Sequence, residues 1–541
     1  MHIPRALLFV TFFLVLACGS SPRFTEAPTV EANPNPAAPL AAVLRFAASQ
    51  PSAAVVRVSD ADREWELVYD ESHDPLKGLA VVGMRPDRDH QVRVTLRNED
   101  GAEAESETLS YRTPPLPEDE GEFPPIEVRV SKPEEMEPGY TLFNPQRSKT
   151  DDHGFSQSFG MLVAVDPAGE PVWYYRTDFR ITDFERTRNG RLLVLTEDSR
   201  LLELDWLGNV VRRWYALERP EGPAEGVAVD TLIFHHDIDE LPNGNLVILG
   251  SEIREIPDYY TSDTNPNAPR KTQRVMGDEI VEFNPVTGEV VWGWNTFDNL
   301  DPFRIGYGTF GGYWQRHGFS AVADWSHAND LLYDEADNAI LLNLRFQGAI
   351  IKIDRESGEI VWIFGDPSGW GKLADKLLKP EGQLQWPDHQ HSPQPTPRGT
   401  LLLFDNGNYQ ARPFDKPKSP AATHTRIVEY AVDEEQRAVR QLWQSEEPEN
   451  DRVVSLAMGD VDWLPQTENL LVSYGRLLPR PVDRRKSWGD LADSPSWTRI
   501  REYHRGDPSE IVWEISLGDE SGQVPVGWSL FGGERLPNLG P

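Results

Sequence analysis

Beyond Cys18 the 541-residue chain has no cysteine. That excludes an intrachain disulfide, a thiolate nucleophile in the folded body and cysteine-ligated zinc. Basic residues are also scarce, 53 Lys and Arg against 87 Asp and Glu, for a formal charge of -34. A nucleic-acid partner needs clustered Lys and Arg to meet phosphates, so this balance argues against one. An anionic small molecule would need a local positive pocket, because the overall field repels it. The apolar run from Ala6 to Ala17 is too short to span a bilayer readily. Aromatic residues are plentiful at 10%, with 17 Trp, while 41 Gly and 45 Pro are spread along the chain. This suits a large packed body of many short strands joined by turns. The length predicts two domains with extensions.

The first residues read as a targeting segment, with Arg5 before the apolar run. Val15-Leu16-Ala17-Cys18 resembles a lipoprotein cleavage box. The expectation is a signal peptide over 1–17, lipidation of Cys18, and a protein tethered on the periplasmic side of the cell envelope. Gly19, where an aspartate would favour inner-membrane retention, points toward the outer membrane. Residues 18–39, rich in Ser, Pro, Ala and Asn, predict a flexible tether. Alternating segments such as Ala54–Val58, Trp65–Tyr69 and Gln91–Leu96 predict a small fibronectin-III-like β-sandwich over 40–114. Its residues carry no chemical constellation, which leaves a spacer or docking role. An acidic, proline-rich linker follows over 115–137.

From residue 138 to 541 the chain repeats. Gly169-Glu170-Pro171-Val172-Trp173 recurs as Gly288-Glu289-Val290-Val291-Trp292 and Gly358-Glu359-Ile360-Val361-Trp362, with weaker copies ending at Arg212, Trp443 and Trp513. Six copies, each with room for four strands, predict an all-β, six-bladed β-propeller. Inserts at 252–277, 299–325, 365–388 and 477–497 could roof one mouth of its channel. The second carries Tyr307, Tyr313 and Trp314, which would wall an aromatic ligand or simply pack the loop.

Three histidines hold equivalent places in these repeats. His236 precedes the turn glycine Gly244 by eight residues, and His391 precedes Gly399 by eight. His327 stands ten residues before the variant turn Asp337-Asn338, and Thr182 takes this place in another repeat. Such positions fall on or near the innermost strands, so the side chains should converge on one cavity. His235, His317 and His389 lack the placement and read as structural. Arg345 would supply a forked donor for a tetrahedral oxyanion, or else a surface ion pair. Asn329, two residues from His327, would donate a further hydrogen bond. Three histidines could also hold zinc, although separate repeats would have to bring them within about 2.1 Å of one ion.

The order His236 with Leu241-Pro242-Asn243-Gly244-Asn245, then Asp324-Trp325-Ser326-His327-Ala328-Asn329, Arg345 and Gln390-His391-Ser392, resembles the bacterial arylsulfate sulfotransferases. The resemblance runs from about residue 138 to the C-terminus. It implies transfer of a sulfuryl group from an aryl sulfate donor to a phenolic acceptor, with neither a nucleotide sulfate donor nor another cofactor. It further implies that His391 is the nucleophile and becomes transiently N-sulfated. His236 and His327 would hold sulfuryl oxygens and move protons, and Arg345 and Asn329 would stabilise developing charge. A disulfide found in some members cannot form here. Two other readings stay open: a ligand-binding propeller without catalysis, and a metal-dependent hydrolase using the histidine cluster.

Overall fold

The computed structural model describes residues 21–149, 154–155, 158–506 and 509–540. The signal peptide and Cys18 lie outside the described residues. The chain divides into two compact units, one from Val43–Val81 and Asp89–Arg112 with the segment ending at Glu31, the other from Ala32–Ala42, Val82–Arg88 and Thr113–Pro541.

The smaller unit is a pair of sheets. One orders Phe24–Ala32, Ala42–Ala48 and Leu79–Val81; the other is built on Glu64–Tyr69, Ala53–Ser59 and Asp89–Arg97. Along Asp89–Arg97 exposed and buried residues alternate, as they must when one face of a strand meets a core. The tether expected over 18–39 needs correction, because Phe24–Ala32 is an edge strand. Its side chains are mostly exposed, so no apolar alternation betrayed it; backbone pairing holds it in place.

The larger unit contains six sheets among the described residues, each built on four antiparallel strands. Their edge strands are β1 (Ile181–Arg186), β2 (His235–Glu240), β3 (Ala328–Asp334), β4 (His391–Pro395), β5 (Asp460–Trp463) and β6 (Val526–Leu536). Each neighbours the next, and β6 returns to β1. Strand β6 pairs with Tyr140–Lys149, near the start of the unit, so the first sheet joins both ends of the unit's sequence. The last sheet gains Ile126–Ser131 beside Glu510–Leu517. That strand falls inside the stretch expected to be a linker. Its two-residue alternation of apolar and charged side chains lies on an exposed outer edge.

Five apolar cores fill the spaces between successive sheets. Interior strands serve two of them at once. Leu246 and Ile248 enter one core while Val247 and Leu249 enter the next, and Leu402 and Phe404 oppose Leu401 and Leu403 in the same way. A strand buried on both faces must be apolar throughout, which explains runs such as Leu401-Leu402-Leu403-Phe404. The repeated tryptophans tie one sheet to the next. The indole N–H of Trp173 donates to the Trp206 carbonyl, Trp362 to Glu434 Oε1, and Trp443 to the Gly506 carbonyl. In two copies the bond comes from Trp214 and Trp294, two residues beyond the motif position and on the same strand face.

The edge strands are polar because side chains, not ladder bonds, stitch them together. Asp237 accepts from the Leu331 amide at 2.6 Å, Asp239 from Tyr333 at 3.2 Å, and Asp460 from Ser392 Oγ at 2.6 Å. The result is a cavity lined by eight carboxylates: Asp183 and Glu185 from β1, Asp237 and Asp239 from β2, Asp330 from β3, Asp460 and Asp462 from β5, and Glu534 from β6. Arg188 acts on Asp239 and Arg186 on Glu534 as cations that partly offset this charge. Burial, then mutual repulsion, raises Asp183, Glu185, Asp330 and Asp462 well above the usual carboxylate range. Burial likewise lifts Asp237 to about 7 and Glu534 to about 8. Carboxyls with raised folded-state values bind more protons when folded, so this cavity's contribution to stability falls as pH rises from about 4 to about 8. Asp330→Asn and Asp462→Asn should therefore raise the melting temperature at pH 8 more than at pH 5. Thermal unfolding of each variant at both pH values checks this. An equal shift at the two would remove the electrostatic explanation.

Candidate active site

A second cavity, of about 330 Å³, opens where β1, β2, β3 and β4 begin. Each of these strands has a register shift at that point: Ile181/Asp183, His235/Ile238, Ala328/Asp330 and His391/Gln394. A β-bulge turns a side chain away from its regular direction. The backbone there is left-handed at His236 (φ 60°), His327 (φ 47°) and Ser392 (φ 49°). Each such residue costs about 1–3 kcal/mol, strain of the kind that collects at functional sites.

His236, His327, His391 and Arg345 all line this cavity, and Thr182 does too. Asn329 does not. Its side-chain amide is taken up by the Gln390 carbonyl at 3.1 Å, and its oxygen by Asn343 at 2.6 Å. It therefore links the sheets of β3 and β4 and does not line the cavity, and the substrate-binding place expected for it is not where its side chain lies. The inserts contribute as well. Tyr313, on the helical turn α1 (Tyr313–Arg316), lines the cavity, whereas Trp314 is buried against His235.

Hydrogen bonds settle the imidazole tautomers. His391 Nδ1 is 2.7 Å from Asn406 Oδ1, and the Asn406 amide nitrogen donates to the Met458 carbonyl. Asn406 must accept from His391, which puts the proton on Nδ1 and leaves a lone pair on Nε2. The Met458 amide donates to that Nε2 at 3.1 Å. His235 Nε2 faces the Gly250 carbonyl, which can only accept, so neutral His235 receives at Nδ1 the proton of His236 Nδ1, 2.8 Å away. His236 Nε2 is then an acceptor, 3.4 Å from the Tyr313 hydroxyl. His327 Nδ1 lies 2.6 Å from Asp324 Oδ2 and donates to it when that carboxyl is ionised, and its Nε2 has no protein partner among the described residues. His235, read as structural, thus orients His236 by direct contact.

Burial holds His236, His327, His389 and His391 well below the ordinary histidine value, so all four are neutral near pH 7. Burial also raises Asp324 to about 7. Arg345 is lowered to about 10 by burial and remains a cation. Its Nη2 donates to the Leu456 carbonyl at 3.0 Å, its Nε is buried without a partner, and no carboxylate pairs with it among the described residues. Arg180, Arg316 and Arg476 also line the cavity, against the single carboxylate Glu197. Glu197 is itself bridged by Arg180 and by His317 at 2.8 Å. In a chain of charge -34 this is a local positive pocket. Phe346, Tyr409, Trp488 and Phe531 supply aromatic walls. Among the described residues, no three His, Cys, Asp or Glu side chains are placed to ligate one metal ion. Asn406 and the three outer arginines gave no signal in the sequence, since none shares the repeat's period; Asp324 entered only as part of the motif around His327, and Tyr313 only as an insert aromatic that could equally have packed the loop.

The fold and the cavity together define an all-β protein with neutral histidines and a cationic Arg345 without a carboxylate partner facing an aromatic-walled pocket. Residues 126–517 match the family described as arylsulfotransferase (ASST), and residues 29–114 match the arylsulfotransferase Ig-like domain. The chain belongs to the arylsulfotransferase family. An arylsulfate sulfotransferase from Lelliottia amnigena is 37% identical over 145 residues, 24% of each chain. Another, from Escherichia coli O6:H1, is 26% identical over 334 residues, 52% of each chain. The matched stretch thus spans about half, or less, of these relatives' length. A solved protein of unknown function from Bacteroides caccae has 13% identity and a TM-score of 0.31, covering 73% of this chain and 93% of its own. That likeness is too loose to bear on the site.

Proposed function

We propose that this protein is an arylsulfate sulfotransferase whose six sheets are the blades of a β-propeller, and that it passes a sulfuryl group through His391. The succession of edge strands from β1 to β6 and back supports the propeller reading. The observation that carries the chemistry is the pairing of a neutral imidazole in a fixed tautomer with a buried guanidinium that has no carboxylate partner, in one cavity.

In the first half-reaction His391 Nε2 attacks sulfur, the N–S bond forms, and the S–O bond to the aryl group breaks. Nδ1 keeps its proton, held by Asn406, so the N-sulfo imidazolium and the departing aryloxide balance in charge. Arg345 meets the sulfuryl oxygens as charge shifts, and the Met458 amide, released from Nε2, can donate to one of them. In the second half-reaction a phenol attacks the same sulfur and the N–S bond breaks. One proton, given to the aryloxide and taken from the phenol, closes the cycle. The cavity-facing Nε2 atoms of His236 and His327 are lone-pair acceptors suited to that proton. No nucleotide enters this scheme. The Cys18 sequence supports lipid anchoring on the periplasmic side.

Brief exposure to 4-nitrophenyl sulfate without acceptor, followed by intact-protein mass under non-acidic conditions, tests the scheme. The expected result is a gain of one SO₃ that disappears on adding phenol. Release of nitrophenolate without any adduct would point to direct transfer or hydrolysis, and the absence of both would favour a binding protein.

A further inference from the structure

A smaller cavity of about 180 Å³ shares Arg345, Phe346 and His389 with the histidine cavity. Three guanidinium groups line it, Arg304, Arg345 and Arg412, against the one carboxylate of Asp388. Arg304 is satisfied by the carbonyls of Ser368 and Gln347, at 3.0 and 2.7 Å, and stacks over Trp370, but no carboxylate pairs with it among the described residues. Arg412 reaches Asp366 and Asp388 only at 3.5 Å. Burying cations without counter-charge is costly, and here two of the three lack one. Tyr260, Phe303 and Phe414 form apolar walls. An apolar cavity of about 150 Å³ accepts one benzene ring, so this space takes a single substituted ring.

His389 supplies the remaining group. It is 6% exposed, its Nε2 donates to the Tyr307 carbonyl at 2.9 Å, and its Nδ1 therefore carries a lone pair. That Nδ1 is buried and has no partner among the described residues. An anion would be repelled there, whereas a hydroxyl would donate to it.

Taking these together, and resting on the sulfotransferase reading, we infer that the smaller cavity is the acceptor subsite and selects phenols bearing an anionic substituent. The phenolic hydroxyl meets His389 Nδ1 at the wall shared with the sulfuryl site, the ring lies between Phe303 and Phe414, and a carboxylate or sulfonate meets Arg304 and Arg412. On transfer the phenolic O–S bond forms as the N–S bond to His391 breaks, and the phenol's proton passes to His389 Nδ1 in place of His236 or His327, to be returned to the next departing aryloxide. His389 is thereby a further catalytic residue.

Calorimetry with 4-hydroxybenzoate and no donor tests binding independently of turnover. The wild type should bind it at least tenfold more tightly than 4-hydroxybenzyl alcohol, and Arg412→Gln and Arg304→Lys should each weaken it about tenfold or more. With 4-nitrophenyl sulfate as donor, the kcat/KM preference for 4-hydroxybenzoate over the alcohol should fall toward unity in Arg412→Gln. Equal affinity for the two compounds in the wild type, or full binding in both variants, would overturn the subsite. If binding behaves as expected but no transfer occurs, the subsite stands and the sulfotransferase reading fails.

Discussion

Replacing His391 with Ala should lower aryl sulfate turnover by about 10⁴-fold or more, because removal of a covalent nucleophile leaves only binding and electrostatic contributions. The mass adduct should vanish with it. The substitution also strips Asn406 Oδ1 of its donor, which costs about 1–3 kcal/mol of stability. A thermal melt measures that loss separately from the chemistry. Steady-state release of nitrophenolate at pH 7 is the decisive assay, and a variant within tenfold of the wild type would remove His391 from the covalent role.

Arg345→Gln should lower kcat/KM for the donor by about 10²–10³-fold, the usual cost of losing one aimed donor to a developing oxyanion. Its effect on stability should run the other way. A buried guanidinium without a carboxylate partner is paid for by the rest of the fold, so removing it should leave the melting temperature unchanged or raise it. An ordinary structural ion pair would show the opposite pattern, with lower stability and little change in rate. Lys should not rescue the rate, since it lacks the planar fork that meets two sulfuryl oxygens. Parallel melts and donor titrations on Arg345→Gln and Arg345→Lys distinguish these outcomes.

The two effects fall on residues of different legibility. His391 could be picked out because the repeat carries it: strand, turn glycine and strand recur, and the histidine holds a constant offset from the turn. Arg345 stood out only by its neighbours in sequence. Its lack of a carboxylate partner among the described residues, which sets it apart from a surface ion pair, is a fact about the whole cavity. His389 shows the limit more sharply. Two residues from His391, it lacks the repeat position, yet its ring forms the wall between two cavities. Asn329 shows the converse, since its nearness to His327 along one strand did not give it a place in the cavity once Gln390 and Asn343 had claimed its amide.

What the sequence by itself determined is whatever repeats or alternates locally. The all-β character, the recurrent four-strand units, the tryptophan-bearing outer strands and the histidine offsets all rest on the two-residue period of a strand and on glycine turns such as Gly244, whose φ is 81°. Tertiary structure decided the rest. The edge strand Phe24–Ala32 and the outer strand Ile126–Ser131 expose most of their side chains, so backbone pairing, for the second with the sequence-distant strand Glu510–Leu517, places them instead of a buried apolar face. Asn406, Asp324 and Tyr313 act through single hydrogen bonds to histidines 15, 3 and 77 residues away. No periodicity encodes such separations; they exist only once bulged edge strands and inserts have met around one cavity.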